Sequence, residues 1–235
     1  MRILIDLTAL TDNFSGIERF ALSITKELIS DQNRSNNEYI LLFKNEVHKE
    51  FSTEQNNVRK VIICGKNKLI FNQFQLPLKL STIEADYYFF PAFPAPFLFF
   101  KRNAISAIHD VGCWDCPSKN KKHMTLYFKV MYRKAAFGHK KVVTVSQFSK
   151  DRIAKILRKR PDEIAVIYDG LAGAAALQKV PVGGVDDGIR CHLGDVVADH
   201  QKRHGGSSLT RFSSSYHIRW GGARAALILL SIQPL

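Results

Sequence analysis

The chain has 235 residues, 46% of them hydrophobic, and a formal net charge of +13, a surplus that points to an anionic partner. Its composition breaks after Gly170: residues 1 to 170 hold all 11 Asn, all 8 Glu and 15 of 16 Phe, whereas residues 171 to 235 hold no Asn, no Glu and 9 of the 14 Gly. Four cysteines, Cys64, Cys113, Cys116 and Cys191, are too sparse for a disulfide framework, and the start Met1-Arg2-Ile3-Leu4-Ile5-Asp6 meets an acid at its sixth residue, which excludes a signal peptide and leaves a cytoplasmic location as the default.

The first 170 residues suffice for one domain with a full hydrophobic core and carry a net +10, 27 Lys and Arg against 17 Asp and Glu. Ile3 to Leu7 is a continuous apolar run, the pattern of a buried strand. The turn after it ends in Ser15-Gly16, and Ile17, Phe20, Ala21, Ile24 and Leu28 then share one stripe of a helix over 16 to 30. A glycine at a helix start lets backbone N–H groups approach a phosphate, and the helix dipole favours its charge. The same glycine could merely relieve a tight turn, and the G-x-G-x-x-G dinucleotide fingerprint is not met.

Tyr39 to Phe43, Val58 to Ile63, Asp86 to Phe90 and Ile105 to Ile108 read as further strands. Between the last two, Phe89 to Phe100 carries Pro91, Pro94 and Pro96, too many prolines for a membrane helix, and reads as a loop at the mouth of a cleft. His109-Asp110 follows directly on a strand, where a histidine can hydrogen-bond a hydroxyl or a phosphate. His109, Cys113, Cys116 and His123 have a spacing that could hold zinc, but Trp114 and Asp115 separate the cysteines and no second C-x-x-C follows, so no metal is expected.

Met124, Tyr127, Phe128, Met131, Tyr132 and Ala135 mark a helix from about 121 to 137, with Lys119, Lys121, Lys122, Lys129, Arg133 and Lys134 around the stripe. Such a helix either lies on an anionic membrane, placing the chain peripherally at the inner face of the cell membrane, or packs on the sheet with its lysines in water. Val142 to Val145 is a strand, Ser146 the N-cap of another helix, and Ile164 to Tyr168 a seventh strand. Strands alternating with helices predict a doubly wound, Rossmann-like α/β domain with about seven parallel strands, whose ligands sit at the carboxyl ends of the strands. Residues 171 to 235 lack sustained periodicity and are interrupted by glycine pairs, so they are expected to be poorly structured or non-native; Ala223 to Ile232, their one apolar run, is too short to span a bilayer.

Taken in order, Ile3 to Asp6, Ser15-Gly16-Ile17-Glu18-Arg19-Phe20, Phe74-Gln75-Leu76-Pro77, Asp86 to Pro91, Ile108-His109-Asp110, Val143 to Lys150 and Ile164 to Gly170 resemble the amino-terminal domain of a retaining nucleotide-sugar glycosyltransferase of the two-Rossmann-domain kind (GT-B fold, family 4-like). The resemblance implies hexose transfer from a nucleotide sugar, without a further cofactor, to a glycan or lipid-linked acceptor of a cell-surface polysaccharide. It implies that His109 acts in catalysis beside the transferring sugar. Gly16 and Ile17 would approach the donor diphosphate, and Glu18, Asp110 and Ser146 would bind the acceptor or sugar. In such enzymes the carboxy-terminal domain binds the donor through Glu-x7-Glu, and here no Glu follows Glu163. The chain is therefore expected to be a truncated, inactive acceptor-side domain. The alternative is a stand-alone module for an anionic ligand or membrane surface; nucleic acid is not expected, since no motif for it accompanies the charge.

Overall fold

The computed structural model describes residues 1–12, 15–30, 36–67, 70–117 and 121–168. The tail from 171 to 235, with Asp169, Gly170 and Lys119, lies outside the described residues, and so do the expectations placed on it.

Among the described residues seven strands form one sheet: β1 (Arg2–Asp6), β2 (Glu38–Lys44), β3 (Val58–Ile63), β4 (Tyr87–Phe90), β5 (Ala104–Ala107), β6 (Lys141–Thr144) and β7 (Ile164–Val166). All neighbours are parallel, in the order β3-β2-β1-β4-β5-β6-β7. The predicted runs match these strands to within two residues at each end, because a strand buried on both faces reads as an unbroken apolar run. The helices are α1 (Gly16–Ser30), α2 (Leu76–Thr82), α3 (Gly112–Asp115), α4 (Lys122–Gly138) and α5 (Gln147–Leu157).

From β1 the chain builds toward one edge through β2 and β3, then returns to lay β4 to β7 on the other side. Right-handed crossovers put the connections of the two runs on opposite faces, which makes the domain doubly wound. The alternation within β1 shows both faces in use. Ile3 and Ile5 join Phe20, Ala21, Ile24 and Leu28 of α1, whereas Leu4 joins Leu76 and Leu80 of α2. Ala135 and Ala136 of α4, Ile153 and Leu157 of α5, Val142 and Ile164 form a third cluster. Phe89 and Phe90 at the sheet centre are no more than 1% exposed, and each such side chain contributes about 1.5–3 kcal/mol by leaving water.

Two local departures have physical causes. The segment leading into α2 is a π-turn, Phe71–Gln75, in which the Leu76 N–H donates to the Phe71 carbonyl. Pro77 has no N–H to give the next turn, and the wider π geometry absorbs that loss. Gly65 lets the connection approach: a Cβ there would strike Phe71 and Gln75. The stripe predicted on α4 does face inward at Met131 and Ala135, but Met124 is 39% exposed.

The core also holds polar groups. Ser106 Oγ on β5 accepts from the Ala95 N–H (3.3 Å) and shares a hydrogen bond with His139 Nδ1 (2.9 Å), while His139 Nε2 is buried without a partner. Lys159, also buried, donates to the Ala136 carbonyl (2.6 Å) and pairs with Glu163 (2.9 Å). Burial, aided by the nearby charges of Lys134 and Lys159, pulls the His139 imidazole down to about 4 from its ordinary 6.5. With the folded value below the unfolded one, the unfolded chain takes up this proton first. Stability from His139 is thus complete above about pH 6.5 and is lost as the pH falls to about 4, a change of about 3 kcal/mol. Urea titrations from pH 7 to pH 4 should show this slope, and His139→Gln should flatten it; an unchanged slope in the variant would locate the acid sensitivity elsewhere.

Candidate functional site

Strand order reverses between β1 and β4, so the chain leaves these two neighbours toward opposite faces and a crevice opens at their carboxyl ends. The loop after β1 is built by its own side chains. Asp6 Oδ1 accepts from the Thr8 N–H (3.0 Å) and from Thr8 Oγ1 (2.6 Å), which folds the chain back at the strand end. Burial pushes the Asp6 carboxyl up, and the two Thr8 hydrogen bonds hold it back in part.

Where α1 begins, Ser15 and Glu18 cap each other. The Glu18 N–H donates to Ser15 Oγ (3.3 Å), the Ser15 N–H donates to Glu18 Oε2 (2.7 Å), and Thr11 Oγ1 donates to Glu18 Oε1 (2.8 Å). Burial opposes ionisation of Glu18, but the donors from Ser15 and Thr11 outweigh it and hold the carboxyl below the ordinary carboxylate range. The chain itself thus uses the Glu18 carboxylate, as a capping box does. Ile17 is half-buried, its side chain packed against the α1 cluster. Gly16 is exposed, and a Cβ on it would meet nothing within 4 Å, so no crowding in the turn requires glycine there.

His109 stands just past β5. Its Nε2 lies 2.9 Å from the carbonyl oxygen of Pro91, the first residue after β4. A carbonyl only accepts, so in the neutral ring Nε2 carries the proton and Nδ1 is the acceptor nitrogen. The ring also meets Phe20 of α1 edge to face, with centroids 5.1 Å apart and planes at 87°. Phe20 is about one helical turn beyond Gly16. The structure thereby gathers the end of β4, the end of β5 and the first turns of α1 around one imidazole.

The remaining predicted residues line the same edge. Asp110 is exposed, and its Oδ1 accepts from the Gly112 N–H (2.8 Å), starting α3. Ser146 caps α5, its Oγ accepting from the Ser149 N–H (3.1 Å), at the end of the strand next to β5. Asp115 pairs with Arg152, which ties α5 to the segment carrying His109. Cys113 is buried, and burial together with Asp110 pushes its thiol up to about 11, an unreactive value. Among the described residues no group of three or more His, Cys, Asp and Glu is placed to hold a metal.

Two cavities of about 660 Å³ lie away from this edge. One is at the amino ends of the strands beside Arg2, Asp86 and Lys101, the other beside the end of α1 at Lys26, Phe51 and Lys60. Neither includes His109, Gly16 or Ser146. No family model and no curated protein matches the chain.

The Pro91 and Phe20 contacts of His109 were not foreseen from the sequence, because they join residues brought together only by sheet order. The Ser15-x-x-Glu18 spacing is that of a helix capping box. Glu18→Ala removes one half of the box and leaves the Ser15 N–H and Thr11 hydroxyl without their acceptor. Urea unfolding at pH 7 should show a loss of about 1 kcal/mol, and an unchanged midpoint would mean that the box contributes nothing.

Proposed function

We propose that residues 1–170 are the acceptor-side domain of a nucleotide-sugar glycosyltransferase, transferring a hexose to a glycan or lipid-linked acceptor when joined to a donor-binding domain. One observation carries this reading: His109, held by Pro91 with Nδ1 as its acceptor nitrogen, stands at the carboxyl edge against Phe20, about one turn from Gly16 at the start of α1. Nδ1 accepts a hydrogen bond from a hydroxyl of the sugar or the acceptor. The exposed first turn of α1, with no side chain at Gly16, presents N–H groups to the donor diphosphate and stabilises the charge that builds on it as the glycosidic bond breaks. Asp110 and Ser146 stand at the same edge to take further hydroxyls, and Glu18 fixes the loop that leads into α1.

No Glu follows Glu163 in the 235 residues, so a Glu-x7-Glu donor segment must come from elsewhere. The second reading, a stand-alone module for an anionic ligand or membrane, makes no demand on Gly16 or His109.

The reading is tested by titrating the isotope-labelled chain with UDP- and GDP-hexoses and following backbone amide resonances. Shifts are expected at Gly16, Ile17 and His109, with His109→Ala weakening binding about tenfold, or about 1.4 kcal/mol. Shifts confined to the cavity beside Arg2 and Lys101 would refute the site. Steady release of nucleoside diphosphate by the 235-residue chain alone would refute the division of labour between domains.

A further inference from the structure

α4 has two apolar sides. Its inner side buries Met131, Ala135 and Ala136, yet Leu126, Val130 and Phe137 lie along the opposite side at 64%, 39% and 69% exposure, in line with the exposed Arg133. A helix whose only task is to cover a sheet keeps that side polar. The loop after β4 extends the apolar surface. Lys134 donates to the carbonyl oxygens of Pro96 (2.9 Å), Phe97 and Phe99 (2.6 Å), and its ammonium stands 5.2 Å and 4.7 Å from the ring centres of Phe97 and Phe100. These rings, 44% and 73% exposed, are thereby fixed beside α4. Two turns earlier on the same flank as Lys134, Gln73 Nε2 donates to Tyr127 Oη (2.8 Å) and brings up the segment that exposes Phe74 and Leu78.

The charge around this surface has one sign. Residues 87 to 150 contain 11 Lys and Arg against two acids, Asp110 and Asp115, and both acids belong to the carboxyl edge, Asp115 paired with Arg152. α4 itself has Lys122, Lys129, Arg133 and Lys134 and no acid. Among the described residues no helix is long and apolar enough to cross a membrane.

We infer that the outer side of α4, with Phe97 and Phe100, is a docking face for an anionic lipid bilayer, on which the domain lies with its aromatic side chains in the headgroup region and its lysines against lipid phosphates. A second copy of the chain would bring the same positive charge to the contact and be repelled. A lipid surface offers both what the exposed rings require and what the lysines require. The inference stands apart from sugar transfer, since it involves neither Gly16 nor His109.

The full chain is sedimented with vesicles of phosphatidylcholine alone and of phosphatidylcholine containing about 30 mol% phosphatidylglycerol. Binding to the anionic vesicles only is expected, falling as salt is raised from about 0.1 M to about 0.5 M. Phe100→Ser with Phe137→Ser, and separately Lys122→Glu with Arg133→Glu, should each weaken it about tenfold or more. All four side chains are exposed or at the helix surface, and a circular dichroism melt matching the parent verifies the fold of each variant. His109→Ala should bind vesicles like the parent, so failure of the sugar-transfer reading leaves this result intact. The inference is overturned by absence of binding, by equal binding to neutral vesicles, or by variants that bind as the parent does. It is also overturned if the parent is a dimer that Phe137→Ser converts to monomer, or if hydrogen exchange shows α4's outer side covered by another part of the chain.

Discussion

The position of β1 in the middle of the sheet is the constraint from which the rest follows. With the first strand central, chain on either side of it must travel in opposite directions, and the fixed hand of parallel crossovers sends α1 to one face and α2, α4 and α5 to the other. The crevice at the ends of β1 and β4 is a geometric by-product of that reversal, needing no residue of its own. What the sequence adds is furniture for the crevice: the Asp6–Thr8 turn, the Ser15–Glu18 box and the imidazole of His109.

Both faces hold buried polar groups. The α1 face contains Glu18, Thr25 and the Tyr39 hydroxyl among its hydrocarbon, and the other face contains Ser106, His139, Thr144 and Lys159. Thr144 Oγ1 and His139 Nε2 lack partners, and an unsatisfied buried polar atom costs about 1–3 kcal/mol. Lys159 and Lys134 escape that cost by donating to main-chain carbonyls, which in turn fixes the ends of the elements supplying them. Polar atoms on this face therefore hold loops and helix ends in place.

The fold was legible because its strands are buried on both faces and its helices carry one dominant stripe each, as at Ile17 to Leu28. Signals local to a few residues were equally legible, the Ser146 cap among them. Glu18 shows the limit: a charge beside a candidate phosphate site invites a ligand role, while the S-x-x-E spacing assigns it to the helix start. His139 gave no sign at all, since its neighbours Gly138 and Lys140 are exposed and only the packing of α4 over β5 buries it. The outer stripe of α4 was hidden differently. Leu126, Val130 and Phe137 are interleaved with the inner set, and a search for one apolar face stops when the first is found.

The loop from Pro91 to Asn103 links the candidate site to the proposed docking face, and its rigidity bears on both. Its first residue holds His109, the Ala95 N–H is bonded to Ser106, and Lys134 gathers the carbonyls of Pro96, Phe97 and Phe99. Phe99 packs against Tyr88 and Phe90 at centroid distances of 5.2 Å and 5.3 Å, and Lys101 donates to the Ile83 carbonyl at 3.2 Å. A chain tied at so many points has little freedom left to lose. Phe97 and Phe100 can therefore enter an apolar environment without the ordering cost that a floppy loop of the same composition would meet, about 0.5–1.5 kcal/mol per immobilised side chain. The same ties keep the Pro91 carbonyl in place, so the tautomer of His109 is set by the fold itself.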